Sequence, residues 1–282
     1  MVVMAGFDEM VITLSDGYQA YARYWSAGLP RGAVLYVHGI QSHSGWYEAS
    51  AARLSAAGFV TLQFDRRGSG RNTQARGHAE SALQLLDDAF CCLDVLCERS
   101  GFDKCHLLGV SWGGKLVASM HAARPERTAS LLLVTPGLFP VIGVSKSEMF
   151  RIGISMVGSP ERLHNIPLND PELFTTLADR IEFLRRDELQ LHQATAAFFL
   201  ASRRMDKEWC RLKESPPVPL HLFLAADERI IDNEKTRAFV LGLPWPHCTI
   251  TTYENSRHTL EFDPDRHHYL DDLVERLTDG SS

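Results

Sequence analysis

The sequence predicts an α/β fold in which a mostly parallel sheet carries helices on both faces and is interrupted by an inserted helical segment. Three observations predict this architecture. Short apolar runs alternate with helix-like runs before residue 138 and again after residue 215. Between these positions no strand-like run is apparent. One apolar run also passes through a glycine-flanked turn, residues 109–113, directly into a helix-like run.

The first two strand-like runs, residues 11–14 and 18–25, alternate around an Asp-Gly turn and predict an antiparallel hairpin. The run 33–37 is continuously apolar, as expected for a strand buried on both faces of a sheet, and 131–134 is another such run. The other strand-like runs are 59–64, 106–108, 220–225 and 248–253. The helix-like runs of the frame are 47–57, 80–99, 115–120, 233–241 and 264–277.

Residues 138–215 break this alternation. Only helix-like segments are predicted there, including 146–157 and 187–210, with prolines between them. Such an insertion fits a cap over the carboxyl ends of the strands, where open sheets bind ligands; the alternative is an elaboration away from any site. The predicted organisation is an α/β core of residues 1–137 and 216–282 with a helical cap of residues 138–215.

Composition and charge limit the possible functions. The chain has 282 residues, 45% of them hydrophobic and 23% charged, which is typical of a globular protein with a substantial core. A formal net charge of -6 without a Lys/Arg-rich block argues against nucleic acid as a partner. The first residues lack a signal-peptide pattern and no run is long enough to cross a membrane, so we expect a cytoplasmic protein. The six cysteines form no Cys-x-x-Cys pair and are expected to be reduced core residues.

Residues 109–113, Gly-Val-Ser-Trp-Gly, match the pattern G-x-S-x-G between a predicted strand and a predicted helix. In that context the pattern indicates a nucleophile elbow, a sharp turn that presents a serine in a strained conformation. Glycine is needed on either side because strand and helix approach each other closely. Ser111 is therefore the predicted nucleophile, and its hydroxyl requires a base and an acid from elsewhere in the chain.

The predicted base is His258 and the predicted acid is Asp227. His258 lies in the loop between the last predicted strand and the last predicted helix, where strand ends converge with the elbow. The chain order in nucleophile-elbow folds is Ser, then Asp or Glu, then His, and Asp227 directly follows an intervening strand. Glu228 is expected to point elsewhere, and Asp232 is expected to cap the next helix.

The backbone N–H groups of Ile40 and Trp112 are the predicted oxyanion hole. Trp112 follows the nucleophile, and Ile40 follows His38-Gly39 at the end of an earlier strand. The loss of one such donor typically costs about 10²–10³ in rate. His38 is expected to brace this loop through hydrogen bonds and to take no direct part in the chemistry.

Taken together, these motifs resemble α/β-hydrolases of the monoacylglycerol lipase group, also called serine aminopeptidase S33-like hydrolases. The matching features are His38-Gly39, His43-Ser-Gly45 with Tyr47, DRRGSG at 65–70, the elbow at 109–113, Asp227 in ADERIID at 226–232 and His258 in SRHTL at 256–260. They span nearly the whole chain except the cap. The resemblance implies the α/β-hydrolase fold with an eight-stranded sheet, a helical cap over an acyl pocket, no cofactor or metal, and acyl hydrolysis by Ser111, Asp227 and His258.

Two departures from the family pattern concern the pocket. Gln41-Ser42 stands where the oxyanion loop usually continues with Gly-Glu, and Trp46 stands where a smaller or basic residue is common. Apolar cap residues are expected either to shape a groove for an acyl chain or simply to pack the cap onto the core. They include Met149, Phe150, Ile152, Met156, Phe198, Phe199 and Trp209. The predicted substrate-binding residues are Gln41, Phe150, Phe198 and Trp209.

The predicted function is a serine hydrolase that cleaves a carboxylic ester, such as a monoacylglycerol or a lysophospholipid, through an acyl-enzyme. An amide, thioester or carbon–carbon hydrolase, or an acyltransferase, would use the same residues. A non-catalytic binding protein that keeps the fold is the alternative from another class. Serine at the elbow argues against dehalogenase or epoxide chemistry, and the lack of an H-E-x-x-H motif argues against zinc. The expected partner is a small acyl substrate, with transient contact to a membrane surface left open.

Overall fold

The computed structural model describes residues 6–279, so residues 1–5 and 280–282 of the predicted core segments lie outside the described residues. The strands are β1 (Asp8–Thr13), β2 (Gln19–Trp25), β3 (Gly32–Val37), β4 (Phe59–Phe64), β5 (Cys105–Val110), β6 (Thr128–Val134), β7 (Leu163–Asn165), β8 (Gln193–Thr195), β9 (Leu220–Ala225) and β10 (Cys248–Tyr253). The α-helices are α1 (Glu48–Ala56), α2 (Ala82–Ser100), α3 (Trp112–Ala123), α4 (Lys146–Gly158), α5 (Ala178–Arg186), α6 (Ala196–Trp209), α7 (Asn233–Leu241) and α8 (Arg266–Asp279).

Eight strands form one sheet in the order β1-β2-β4-β3-β5-β6-β9-β10. Strand β2 runs antiparallel to β1 and β4, and the other neighbouring pairs are parallel. Every residue of β3, β4, β5 and β9 is buried, as expected for parallel strands whose crossover helices cover both faces. The predicted eight-stranded, mostly parallel sheet is confirmed.

The parallel strands place their carboxyl ends at one edge of the sheet, and the site is built from the segments that follow them. Four such segments begin after β3, β5, β9 and β10. They carry, in chain order, His38, Ser111, Glu228 and His258. Residues that are far apart in the sequence therefore meet at one edge.

Several helix ends follow local sequence signals. At the start of α2 the Ser81 hydroxyl accepts a hydrogen bond from the backbone N–H of Gln84 at 3.1 Å, and Gly101 ends the helix with a φ of 77°. At the start of α6 the Thr195 hydroxyl accepts the N–H of Phe198 at 3.2 Å. No helix within residues 6–279 combines the length and the hydropathy needed to cross a bilayer.

The inserted segment between β6 and β9 is not purely helical, so this part of the sequence prediction is wrong. Strand β7 pairs antiparallel with β8, with Leu163 opposite Thr195. The helix predicted over 187–210 begins only at Ala196, because residues 187–195 form a loop and β8. Strands of three residues are too short to display the alternation that identifies a strand in a sequence. The division into core and cap stays a prediction.

Glu261 fixes the start of α1 from inside the protein. Its buried carboxylate accepts the backbone N–H groups of Ala49 at 2.8 Å and Ser50 at 3.0 Å, together with the Ser50 hydroxyl. Burial raises the pKa of Glu261 to about 7, although these hydrogen bonds act in the opposite direction. The folded protein therefore holds a proton here at pH values where the unfolded chain has released it.

The variant Glu261→Gln is expected to lose part of the pH dependence of stability. Because the folded pKa of about 7 exceeds the ordinary value of 4.5, the free energy of unfolding of the wild type falls as the pH rises through this interval. The neutral amide has no such proton, so the stability of the variant relative to the wild type rises from pH 5 to pH 8. Chemical denaturation across this range measures the difference, with the exposed Glu254→Gln as the matched control. A difference that is constant with pH contradicts the raised pKa.

Candidate active site

Ser111 lies at the tip of the sharp turn between β5 and α3. Its backbone has φ 54° and ψ -121°, a left-handed conformation that costs a residue other than glycine about 1–3 kcal/mol. Three hydrogen bonds hold it: the Ser111 N–H donates to the carbonyl of Val134 at 2.9 Å, and its carbonyl accepts the N–H groups of Gly114 at 2.9 Å and Gly137 at 2.7 Å. The turn therefore has the strained strand-turn-helix geometry that the motif predicts.

Gly109 and Gly113 allow this turn because no side chain fits at either position. A Cβ on Gly109 would lie 2.5 Å from the carbonyl oxygen of Gly113, and a Cβ on Gly113 would lie 2.3 Å from the carbonyl oxygen of Val37. Both distances are too short for any real contact. The spacing of the two glycines in the sequence therefore reflects a direct contact between α3, β5 and the end of β3.

The structure brings Ser111 and His258 together as predicted. The Ser111 hydroxyl lies 2.8 Å from Nε2 of His258. The other ring nitrogen, Nδ1, lies 2.9 Å and 3.0 Å from the two carboxylate oxygens of Glu228. The backbone of His258 is fixed as well, because its carbonyl accepts the Thr135 hydroxyl at 2.8 Å. Hydroxyl, imidazole and carboxylate thus form one hydrogen-bonded line.

The prediction that Asp227 contacts the imidazole is wrong; the carboxylate in this line belongs to Glu228. Asp227 points outward, where Arg229 and Arg257 donate hydrogen bonds to it at 2.9–3.1 Å. Its side chain is 48% exposed, whereas that of Glu228 is 1% exposed. Glu228 points inward instead, where the N–H of Ile230 donates to it at 2.8 Å and the N–H of Arg229 at 3.0 Å.

The sequence carries a partial signal, which concerns the pair of adjacent acids and not the choice between them. Two arginines, Arg229 and Arg257, flank the candidate acid and base. An arginine pairs readily with an exposed carboxylate. These two cations therefore favour an ion pair with one of the two adjacent acids. The pattern does not by itself say which acid is taken, because that depends on how the backbone turns after β9.

The loop after β3 is braced by His38 and Arg66. His38 Nδ1 lies 2.8 Å from the carbonyl oxygen of Gly39, and its Nε2 accepts the backbone N–H of Arg66 at 3.0 Å. Burial, together with the Arg66 guanidinium, holds the pKa of His38 well below its ordinary value, so the ring is neutral. The structural role expected for His38 agrees with this geometry.

Arg66 holds two successive carbonyl groups of the same loop. Its guanidinium donates to Gly39 at 3.1 Å and to Ile40 at 2.8 Å, and it lies 4.5 Å from the centre of the Trp112 ring. Burial lowers the pKa of Arg66 to about 9. In a trans peptide the carbonyl and the N–H point in opposite directions. Since the Gly39 carbonyl faces His38 and Arg66, the Ile40 N–H of that peptide faces away from them.

Two spaces open beside Ser111. The larger is a cavity of about 150 Å³, hereafter the inner cavity, which Ile40, Ser111 and Trp112 all line. Its other walls are mainly apolar and include Ile142, Ile166, Leu168, Phe199, Ile230 and Ile231. The smaller space, about 10 Å³, is the size of one water molecule and is lined by Gln41, Ser111 and His258.

The inner cavity continues outward into a wider groove of about 770 Å³ between α4 and α6, hereafter the outer groove. The two share several lining residues, among them Val144, Phe199 and Ser202. Met149, Arg203, Asp206 and Lys207 line the outer groove alone. A molecule bound at Ser111 can therefore extend along α6 toward the surface.

Of the four predicted substrate-binding residues, only Gln41 lines one of these spaces. Gln41 lines the smaller space, and its buried Nε2 has no hydrogen-bond partner among the described residues. Phe150 is 71% exposed and lines neither the inner cavity nor the outer groove. Phe198 and Trp209 are buried in packing contacts, with Phe198 against Trp112 and Trp209 against Phe139 and Phe239. For these three the structure contradicts a place in the cavity.

Trp46, the unusual residue of the oxyanion loop region, ties this region to the inserted segment. Its indole N–H donates to Asp187 at 2.6 Å, and Nε2 of His43 lies 3.1 Å from the same carboxylate. Although burial acts to raise the pKa of Asp187, the hydrogen bonds from His43 and Trp46 hold it below the ordinary value. The Trp46 ring also packs on Phe174 and Phe262.

The fold and the elbow define the class of the protein, and comparison with known proteins agrees. The structure superposes on the monoacylglycerol lipase of Paleococcus ferrophilus with a TM-score of 0.83, at 23% identity, covering 93% of this chain and 99% of that one. It also matches a soluble variant of the monoglyceride lipase of Saccharomyces cerevisiae, with a TM-score of 0.87, at 16% identity, covering 100% of this chain and 98% of the other. The fold is therefore that of an α/β-hydrolase.

The sequence relatives narrow this class. A family model described as serine aminopeptidase, S33, matches residues 28–265, so the chain belongs to that family. Phospholipase YtpA of Bacillus subtilis is 23% identical over 253 residues, which cover 86% of this chain and 93% of the relative. The monoacylglycerol lipase of Mycolicibacterium smegmatis is 30% identical over 116 residues, 41% of each chain. The chain is thus a lipase- and esterase-like hydrolase.

The variant Asp187→Ala is expected to lower the free energy of unfolding by about 1–3 kcal/mol, because it leaves the Trp46 indole N–H without its acceptor inside the protein. Chemical denaturation measures the change. The exposed neighbour Glu188→Gln provides the matched control and should leave stability within about 0.5 kcal/mol of the wild type. Equal free energies of unfolding for the two variants would show that the Trp46–Asp187 hydrogen bond contributes nothing to stability.

Proposed function

We propose that the protein is a serine hydrolase that cleaves a carboxylic ester through a covalent acyl-enzyme. The observation that carries this proposal is the hydrogen-bonded line from Ser111 Oγ through His258 to Glu228, with distances of 2.8 Å and 2.9 Å. A serine hydroxyl is a weak nucleophile until an adjacent base can take its proton. The names of the relatives, lipases and a phospholipase, favour an ester as the bond that is cleaved.

In the first step Ser111 Oγ attacks the carbonyl carbon of the ester while its proton passes to Nε2 of His258. The Glu228 carboxylate keeps the proton of Nδ1 in place and stabilises the imidazolium that forms. Three backbone N–H groups of the loop after β9 hold this carboxylate, so it needs no reorganisation during the reaction. His258 then donates its proton to the departing alkoxide, which leaves as the alcohol.

The negative charge that develops on the carbonyl oxygen is assigned to the N–H groups of Ile40 and Trp112. Trp112 is the first residue of α3, where backbone N–H groups have no partner within the helix. The Ile40 N–H points away from His38 and Arg66, and Ile40 lines the inner cavity together with Ser111. These two groups come from the ends of different strands and converge on one oxygen.

In the second step water attacks the acyl-enzyme carbonyl and gives its proton to His258, which returns it to Ser111 as the acid leaves. The space of about 10 Å³ beside His258 and Gln41 has room for one such water molecule. Gln41 lines that space, and its Nε2 has no hydrogen-bond partner among the described residues. Gln41 accordingly acts on the side of the leaving alcohol and the attacking water.

A fluorophosphonate probe is expected to label the wild type and not Ser111→Ala, because the probe reacts only with an activated serine. Hydrolysis of p-nitrophenyl butyrate should fall by about 10⁴- to 10⁶-fold in the same variant. Ser147→Ala, at an exposed serine, controls for nonspecific labelling. A folded wild type that is neither labelled nor active on any p-nitrophenyl ester would support the binding-protein alternative.

The pair Glu228→Gln and Asp227→Asn tests which acid serves the imidazole. Glu228→Gln is expected to lower kcat by about 10²- to 10⁴-fold, since an amide facing Nδ1 favours the wrong tautomer of His258. Asp227→Asn should leave kcat within about threefold, because the half-exposed carboxylate of Asp227 bonds to Arg229 and Arg257 and does not contact His258. Steady-state kinetics on p-nitrophenyl butyrate measures both. A larger loss of kcat in Asp227→Asn than in Glu228→Gln would assign the acid that serves His258 to Asp227.

A further inference from the structure

Lys115 brings a positive charge into the wall of the inner cavity. It follows Ser111 by four residues in α3, which is about 6 Å along the helix axis. Its side chain is only 8% exposed, and it lines the cavity together with Ser111. Lysine is rarely buried unless it has a partner, so the group that pairs with Lys115 determines what else its ammonium can bind.

The partner of Lys115 lines the outer groove. We call the place where the inner cavity opens into this groove the junction. The Nζ of Lys115 is 2.5 Å from Oδ1 of Asp206, which lines the outer groove and is 42% exposed. The same carboxylate oxygen accepts the Trp209 indole N–H at 3.2 Å. The ion pair therefore stands where the inner cavity opens into the outer groove. An ammonium has three N–H donors, and Asp206 is the one acceptor found for Lys115 among residues 6–279.

Ser202 adds a second donor at this junction. It lines both spaces, and its hydroxyl oxygen accepts the Trp112 indole N–H at 2.8 Å. Because the oxygen acts as acceptor in that bond, the hydroxyl proton can be donated to a ligand. Lys115 and Ser202 thus present donors to the same region of the pocket.

The charge around the junction is positive. Arg203 and Lys207 line the outer groove, and within the described part of the chain neither forms an ion pair with a carboxylate. Together with Lys115 they give three cations against the single carboxylate of Asp206. The adjoining groove therefore favours an anion over a neutral group.

The size of the inner cavity limits how many carbons an acyl group can have between Ser111 and the junction. An apolar cavity of about 150 Å³ holds a molecule the size of benzene, which has six carbons. A longer hydrocarbon chain would leave the cavity across the Lys115–Asp206 pair and would remove water from two charges without bonding to either. Such desolvation is unfavourable.

Resting on the proposed ester hydrolysis, we infer that the preferred substrate carries a short acyl group, about six carbons long, that ends in a carboxylate bound by Lys115 and Ser202. The ester carbonyl lies at Ser111, the methylene groups lie between the apolar walls, and the distal carboxylate meets the donors at the junction. The substrate class is thus the half-ester of a dicarboxylic acid. The product is a dianion that the cationic groove draws toward the surface.

The test compares two substrates with equal numbers of acyl carbons, p-nitrophenyl hexanoate and p-nitrophenyl hydrogen adipate. The quantity measured is the ratio of their kcat/KM values, adipate over hexanoate, which cancels effects common to both. Lys115→Met should lower this ratio at least about tenfold, as expected for the loss of a hydrogen bond between charged groups. Asp206→Asn should raise it several-fold, because it removes the competing carboxylate while it keeps an acceptor for Trp209. The exposed Lys104→Met is the control and should leave the ratio unchanged.

The two variants must change the ratio in opposite directions, and any other pattern overturns the inference. A merely structural role of the ion pair would lower both rates together and leave the ratio constant in each variant. If hexanoate is cleaved and the ratio does not respond, the inference fails while ester hydrolysis stands. If neither ester is cleaved and fluorophosphonate does not label Ser111, the proposed function fails and the inference fails with it.

Discussion

The contact of Gly113 with the carbonyl oxygens of Val37 and His38 is the constraint on which the site depends. It brings the first turn of α3 against the end of β3 at a separation that no side chain permits. Trp112 begins α3, and Ile40 follows β3 by three residues, so this one contact sets the distance between the two N–H groups assigned to the oxyanion. The strained backbone of Ser111 belongs to the same turn. A methyl group at residue 113 would therefore disturb nucleophile and oxyanion donors at once.

Much of the frame could be predicted because its strands have six or seven residues each, and those in the middle of the sheet are buried. Such runs leave a clear apolar signal, and the observed strands agree with the predicted ones to within a few residues. The inserted segment could not be predicted in the same way. Its strands have three residues each, and their pairing joins Leu163 to Thr195 across a long stretch of chain. A local pattern carries no information about a contact of that kind.

The site shows a similar limit. Chain order and position after a strand identify the loops that meet, and they bring Ser111 and His258 together, as the structure does. They do not decide between adjacent acids, because that choice depends on how the backbone turns after β9 and on where Arg229 and Arg257 lie. The same holds for Phe198 and Phe199, which are successive residues of α6 and point about 100° apart. Only Phe199 faces the inner cavity. Helical periodicity identifies a face, but the facing surface has to be known before a residue on it can be assigned to a pocket.

The connection between the inserted segment and the loop after β3 has a consequence for engineering. Asp187 bonds to Trp46, the Leu191 N–H donates to the carbonyl of Gln41 at 2.9 Å, and Arg76 donates to the carbonyl of Leu189 at 2.6 Å. Residues 187–191 thus support the backbone that carries Ile40. A chimaera that exchanges the whole insertion for that of a relative would remove this support along with the pocket walls. Grafts confined to residues 141–163 would alter the walls and leave the reaction centre with its own scaffold.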